Sequence, residues 1–136
     1  MRVLVSGGAG FIGSHVTVEL FQAGYDVLIA DNFSNCDDTN YNGVCKILGC
    51  EIPLVRMDFC DSAEVEALFN RFKIDAVIHF AAYKAVGESV AEPLKYYRNN
   101  LDSFLNILGQ AKVHGCNVLF SSSATVYGEP EQCPVT

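Results

Sequence analysis

Met1-Arg-Val-Leu-Val-Ser-Gly-Gly-Ala-Gly-Phe-Ile-Gly13 opens the chain: a short apolar run, a glycine turn and the start of a helical pattern. The glycines read as Gly8-x-Gly10-x-x-Gly13 or as Gly7-x-x-Gly10-x-x-Gly13, and in both Gly10 and Gly13 fall where a diphosphate must approach the backbone. Such positions, lacking Cβ, allow positive φ and close contact. The first helical turn beyond them offers free N–H groups and the positive end of the helix dipole, which suit an anion such as a pyrophosphate. Glycines also simply make tight turns. What sets this turn apart is the strand before it and an acidic residue at the right distance after it.

That residue is Asp31, at the end of the second apolar run, Asp26-Val-Leu-Ile-Ala-Asp31. It lies close to the roughly 20 residues past the glycines at which a carboxylate binds an adenosine ribose 2′-hydroxyl. Read alone, it is equally a turn former at a strand end. The residues that follow, Asn32-Phe33-Ser34-Asn35, include no Arg or Lys to receive a 2′-phosphate. NAD is therefore favoured over NADP.

With 136 residues and 50% hydrophobic content, the chain is long enough for one domain with a core and too short for two. A net charge of −7 argues against a nucleic-acid or anionic-membrane surface, since both need clustered Lys and Arg. No run approaches the roughly 18 apolar residues that span a bilayer, and the first apolar stretch is cut at Ser6, too short for a secretory signal. A cytoplasmic protein is expected. The six cysteines (36, 45, 50, 60, 116 and 133) form no CxxC pair and match no zinc spacing, so they read as small buried hydrophobes or surface thiols; no metal is expected.

Apolar runs of strand length recur at 2–6, 26–30, 52–56, 74–80 and 117–121, most of them continuous, as in parallel strands covered on both faces. Between them lie helical patterns: 11–23, 62–72 with an acidic first turn, and 93–114, which starts at Pro93 and stops near Gly115. This alternation predicts a doubly wound α/β sheet. Right-handed crossovers predict the strand order 3-2-1-4-5, with the ligand crevice at the carboxyl ends of strands 1 and 4. The polar stretch 34–43 reads as a loop. Leu94, Tyr97, Leu101, Phe104, Leu105, Leu108 and Ala111 form an apolar stripe whose simplest account is core packing.

The remaining candidates, mid-helix Asn99 apart, sit at predicted strand ends. Met57-Asp58-Phe59 closes the third run: Asp58 either accepts from an exocyclic amine or caps the helix starting near Ser62. His79-Phe80-Ala81-Ala82-Tyr83-Lys84 closes the fourth, where small Ala81 and Ala82 let a backbone pass close to a ligand. Lys84 is a solvated lysine or a cation near a ribose or phosphate. His79, inside an apolar run, reads as a satisfied core histidine. Asn99 gains nothing in helix propensity and is either merely exposed or functional. After the fifth run, Ser121-Ser-Ser-Ala-Thr-Val-Tyr-Gly128 offers hydroxyls to the crevice without any activating His/Asp arrangement.

Taken together, Gly7 to His15, Asp31 to Ser34, His79 to Ser89, Tyr96 to Asn99 and Ser121 to Gly128 make the chain similar to the extended short-chain dehydrogenase/reductases, over the whole of its length. Within that family it most resembles the branch that interconverts UDP-glucose and UDP-galactose at C4, with Lys84-Ala-Val-Gly-Glu-Ser89 the most discriminating segment. The resemblance implies an NAD-binding Rossmann domain. It implies cofactor roles for Gly7, Gly10, Phe11, Ile12 and Gly13; for Asp31, Asn32, Phe33, Ser34, Asn35 and Cys36; and for Asp58 with Phe59. It adds Phe80, Ala81, Ala82, Tyr83, Lys84 and Asn99. It makes Ser123 the residue that hydrogen-bonds the sugar's 4-hydroxyl, beside the cofactor.

In that family a tyrosine, its pKa lowered by a lysine four residues later and by the nicotinamide charge, takes the 4-hydroxyl proton while hydride leaves C4. This chain departs from that pattern. Tyr25, Tyr41, Tyr83, Tyr96, Tyr97 and Tyr127 are followed at that distance by Ile29, Cys45, Gly87, Asn100, Leu101 and Glu131. The expectation is an amino-terminal fragment of an epimerase that pairs as a homodimer, without its catalytic base, its last strands or its nucleotide-sugar domain, and inactive by itself. Two other readings stand beside it: a uronate epimerase or dehydratase of the same superfamily, and a non-catalytic NAD-binding module. A Tyr-x-x-x-Lys soon after Thr136 separates enzyme from module.

Overall fold

The computed structural model of the protein describes residues 1–129 and 132. Five strands, β1 (Arg2–Ser6), β2 (Asp26–Asp31), β3 (Leu54–Arg56), β4 (Ala76–His79) and β5 (Asn117–Phe120), form one parallel sheet in the order β3-β2-β1-β4-β5. This is the predicted topology, and the winding reverses between β1 and β4. Side chains alternate between two apolar layers, as a period of two requires. Leu4, Leu28, Ala30 and Val77 join one cluster with Val65, Leu68, Phe69 and Ile107, while Val5, Val27 and Ile29 join the other with Val44 and Ile52.

The helices are α1 (Phe11–Gln22), α2 (Thr39–Leu48), α3 (Ser62–Arg71), α4 (Val86–Ala91) and α5 (Pro93–His114), followed by a 3₁₀ turn at Ala124–Tyr127. α1 packs with α2, and α3 with α5. α3 is capped by Asp61, whose carboxylate accepts from the Ala63 and Glu64 amides; the cap alternative for Asp58 is therefore not realised. α5 has Pro93 in its first turn and ends at Gly115 with φ +68°.

Three expectations need correction. The stretch 34–43 is not all loop, because α2 begins at Thr39. β3 is shorter than the run 52–56, starting only at Leu54. The expected stripe of α5 packs only in part: Ala111 is buried and Phe104 stacks on the buried His79, whereas Leu94, Tyr97, Leu101, Leu105 and Leu108 are each more than a third exposed. The helix also turns Tyr96, Ser103 and Ile107 inward beside Ala111, and the small Ser103 and Ala111 let it lie close to the strands. Beyond β5 no strand follows among the described residues, so β5 is an edge. Cys36, Cys45, Cys50, Cys60 and Cys116 are free thiols; Cys133 lies outside the described residues. No helix among the described residues is long and apolar enough to cross a membrane.

Candidate functional site

A cleft of about 770 Å³ opens at the carboxyl ends of the strands, over the reversal between β1 and β4. Its first wall is the glycine turn. Gly7 has φ +74°, and a Cβ there would stand 2.7 Å from the Ala81 amide nitrogen. A Cβ on Gly13 would stand 2.3 Å from the Gly7 carbonyl oxygen, so the close approach of α1 to the turn forbids one. Gly10 differs: its missing Cβ would meet only the Gly7 oxygen, at 3.2 Å, and the space above it is the cleft.

Gly10 is also the residue at the α1 N-terminus, where no side chain caps the helix and no acid stands in the first turn. α3, by contrast, has its first amides satisfied by Asp61. The free amides and dipole of α1 thus face the cleft available to an anion. Phe11 and Ile12, both exposed, form the lip.

Asp31 ends β2 inside the cleft and is buried. Its Oδ2 accepts from the Ala9 amide (3.0 Å), its Oδ1 from the Phe33 amide (2.9 Å), so the carboxylate ties the glycine turn to the loop after β2. Phe33 itself has φ +56°, a conformation rare for a bulky residue. Its ring lies under Arg56, with the guanidinium carbon 3.8 Å from the ring centre, and Arg56 also pairs with Asp38. Asn32, Ser34, Asn35 and Cys36 line the cleft; Phe33 alone of the predicted site residues does not. Burial, then the charge of Asp31, push the Cys36 thiol up to about 11.

From β3, Asp58 lies exposed on the cleft, its Oδ1 accepting from the Cys60 amide (2.9 Å), while Phe59 is buried beneath. From β4 come Phe80, Ala81, Ala82, Tyr83 and Lys84. Among the described residues the ion pairs are Arg2–Asp26, Arg56–Asp38 and Lys95–Glu88, which leaves Lys84 an unpaired cation at the cleft. Asn99, half-buried on α5, donates to Asn100 Oδ1 (3.0 Å). Ser123 follows β5; its hydroxyl lies 2.6 Å from Thr125 Oγ1 and accepts from the Thr125 amide (3.3 Å), capping the 3₁₀ turn.

His79 is the satisfied core histidine expected, with Nδ1 2.6 Å from Ser6 Oγ and the ring stacked near Phe104 and Phe120. Burial pushes its pKa down to about 4, so the ring is neutral. Asn40, Asn100 and Thr125 are among the cleft residues to which the sequence gives no role. Asn40 on α2 donates to the Ala9 carbonyl (3.0 Å), and nothing in a stretch read as loop could have signalled it. Asn100 was signalled only by its neighbour Asn99. Thr125 belongs to the hydroxyl-rich segment Ser121 to Gly128, whose composition does not distinguish it from its neighbours.

The NAD dependent epimerase/dehydratase family matches residues 3–136. The chain belongs to that family. Among family members it is 48% identical, over its full length, to the UDP-glucose 4-epimerase of Caenorhabditis elegans and covers 42% of that protein. It is 47% identical to the UDP-glucose 4-epimerase of Bacillus subtilis and covers 40% of it. A UDP-glucose 4-epimerase from Bifidobacterium longum, solved in complex with NAD⁺ and UDP, superposes with a TM-score of 0.93 at 47% identity, over 100% of this chain and 41% of that one. The enzyme from Stenotrophomonas maltophila, with bound NAD and formylated UDP-arabinopyranose, gives 0.92 at 45% identity, over 99% of this chain and 40% of that one. The chain thus spans about two-fifths of the length of the relatives it matches.

Proposed function

We propose that this chain is the NAD-binding part of a cytoplasmic, homodimeric UDP-glucose 4-epimerase, which interconverts UDP-galactose and UDP-glucose. The observation that carries the reading is the uncapped α1 N-terminus at a glycine turn whose Gly10 opens onto the cleft. It fits a diphosphate that backbone amides can hold without a cationic side chain. Asp31 stands at the end of β2, where an adenosine ribose would present its hydroxyls. Asn32, Phe33, Ser34, Asn35 and Cys36 would shape that adenosine end.

Asp58 and Phe59 would receive the adenine, Asp58 by accepting from its amine. Phe80 to Lys84 and Asn99 would hold the nicotinamide half, the Lys84 cation being free to reach ribose hydroxyls. NAD, when bound, supplies reversible hydride acceptance. The Ser123 hydroxyl would orient the 4-hydroxyl of the sugar, its bond with Thr125 fixing the direction in which it points. No proton acceptor of the Tyr-x-x-x-Lys kind is present in these 136 residues. Ser123 has no base beside it, so it positions and does not abstract.

The test is UDP-galactose conversion by the 136 residues alone and by a chain extended to the relatives' full length, with a Tyr-x-x-x-Lys and a nucleotide-sugar domain. The reading expects none from the first and turnover from the second. Turnover by the 136 residues alone would contradict the assignment of the proton acceptor to residues outside them. Retention of activity after Ser123→Ala in the extended chain would contradict the role of Ser123.

A further inference from the structure

We propose that Asn100 is the positioning residue that fixes Tyr83, Lys84 and Asn99 for the cofactor, an inference that rests on the NAD reading above. The chain leaves β4 at Phe80, whose amide makes the last ladder bond, to the Ser6 carbonyl (2.9 Å). The next backbone bond in this stretch is between Ala85 and Ser89, at the start of α4. Between them the described backbone of Tyr83 is held by one side chain. Asn100 Oδ1 accepts from the Tyr83 amide (2.8 Å), and Asn100 Nδ2 donates to the Tyr83 carbonyl (3.0 Å).

A primary amide can satisfy a donor and an acceptor of one residue at once, as a neighbouring strand would. Aspartate lacks the donor, serine cannot span both atoms, and leucine offers neither. The Tyr83 ring has its own supports, Tyr96 at 5.6 Å between centres and the Lys95 ammonium at 5.1 Å. Those contacts place the ring and leave the backbone to Asn100.

The same oxygen of Asn100 also accepts from Asn99 Nδ2 (3.0 Å), which uses both of its lone pairs. That bond settles which way the Asn99 amide faces: its nitrogen toward Asn100 and its oxygen toward the Cys60 thiol, at 3.8 Å. One half-buried side chain therefore fixes the backbone from which Lys84 extends and the orientation of Asn99. Lys84 itself is exposed and unpaired among the described residues, so its reach is set by where that backbone lies.

The experiment is a double-mutant cycle on NAD binding, using the full chain, with Asn100→Ala and Lys84→Ala singly and together. Asn100→Ala alone should weaken NAD about tenfold, the scale of one or two lost hydrogen bonds. In the Lys84→Ala background the same change should cost much less, because Asn100 acts partly through Lys84. Hydrogen exchange of the Tyr83 amide, measured without NAD, should accelerate in Asn100→Ala and stay slow in Asn100→Asp, which keeps the acceptor. Asn100→Asp should nevertheless bind NAD more weakly than wild type, having lost the donor.

Multiplicative losses in the cycle, or a Tyr83 amide whose exchange ignores Asn100, would overturn the proposal while wild-type NAD binding persists. Failure of the wild type to bind NAD would overturn the NAD reading and this inference together. Should Asn100→Ala not fold, Asn100→Asp and the exchange measurement decide the matter.

Discussion

Alanine at Gly13 and alanine at Gly109 are the same chemical change with opposite expected signs. At Gly13 the new Cβ would stand 2.3 Å from the Gly7 oxygen and 2.7 Å from the Gly8 Cα, both backbone atoms that cannot rotate away. Ordinary carbon contacts need about 3.5 Å, so α1 would have to move off the turn by roughly 1 Å. Overpacking of this kind costs about 1–3 kcal/mol, against which alanine in a helix recovers about 0.5–1 kcal/mol relative to glycine. The net expectation is destabilisation of about 1–2 kcal/mol. Gly109 lies in the middle of α5, exposed, with nothing within 4 Å of its absent Cβ. There alanine should stabilise by about 0.5–1 kcal/mol. For a domain of this size the two variants should bracket the wild-type Tm, with a shift of about 3–5 °C per kcal/mol. Thermal unfolding without ligand reads both. If Gly13→Ala melts no lower than Gly109→Ala, the packing of α1 on the glycine turn is not as described.

Other consequences can be checked as directly. Because burial lowers His79 to about 4 from an ordinary 6.5, the unfolded chain takes up a proton that the folded one refuses between those pH values. Stability should therefore be complete above pH 6.5 and fall as the pH drops toward 4; His79→Gln should flatten that slope in chemical denaturation, and an unchanged slope would place the cause elsewhere. The Cys36 and Cys60 thiols, both pushed up to about 11, should react with iodoacetamide near pH 8 about 100-fold more slowly than a thiol of ordinary pKa. Mass spectrometry of the peptides measures this, and fast labelling of either would contradict its burial. Asp31→Asn should weaken NAD by about 10- to 100-fold, the scale of hydrogen bonds to a charged group, and narrow the preference over NADP; an unchanged NAD/NADP ratio in competition binding would remove Asp31 from the ribose site.

The sheet was legible because its evidence is redundant: five apolar runs, most of them continuous, separated by helical stretches admit few windings. The site was legible for a related reason, since parallel strands deliver their carboxyl ends to one crevice and the predicted site residues, Asn99 on α5 apart, follow such an end within a few positions. What failed was information that the sequence does not carry locally. α2 begins in Thr39-Asn-Tyr-Asn-Gly43, poor helix formers without a side-chain cap, and buries only Val44; packing against α1 and the Tyr41 hydroxyl bond to the Ile52 carbonyl hold it. α5 has two apolar faces, and the periodicity cannot say which one meets the sheet. The larger stripe is the more hydrophobic, yet only its Phe104 and Ala111 pack inward, beside Tyr96, Ser103 and Ile107. Asn40 and Asn100 escaped because their roles lie in bonds to backbone atoms far away in sequence, Ala9 and Tyr83.

The central claim is that the cleft over the β1–β4 reversal holds NAD, and calorimetric titration of the full chain tests it most directly. The account predicts saturable binding at one site per chain, weaker binding of NADP, and a Tm that rises with NAD concentration as a ligand of the native state requires. Absence of both heat and Tm shift at millimolar NAD would contradict it.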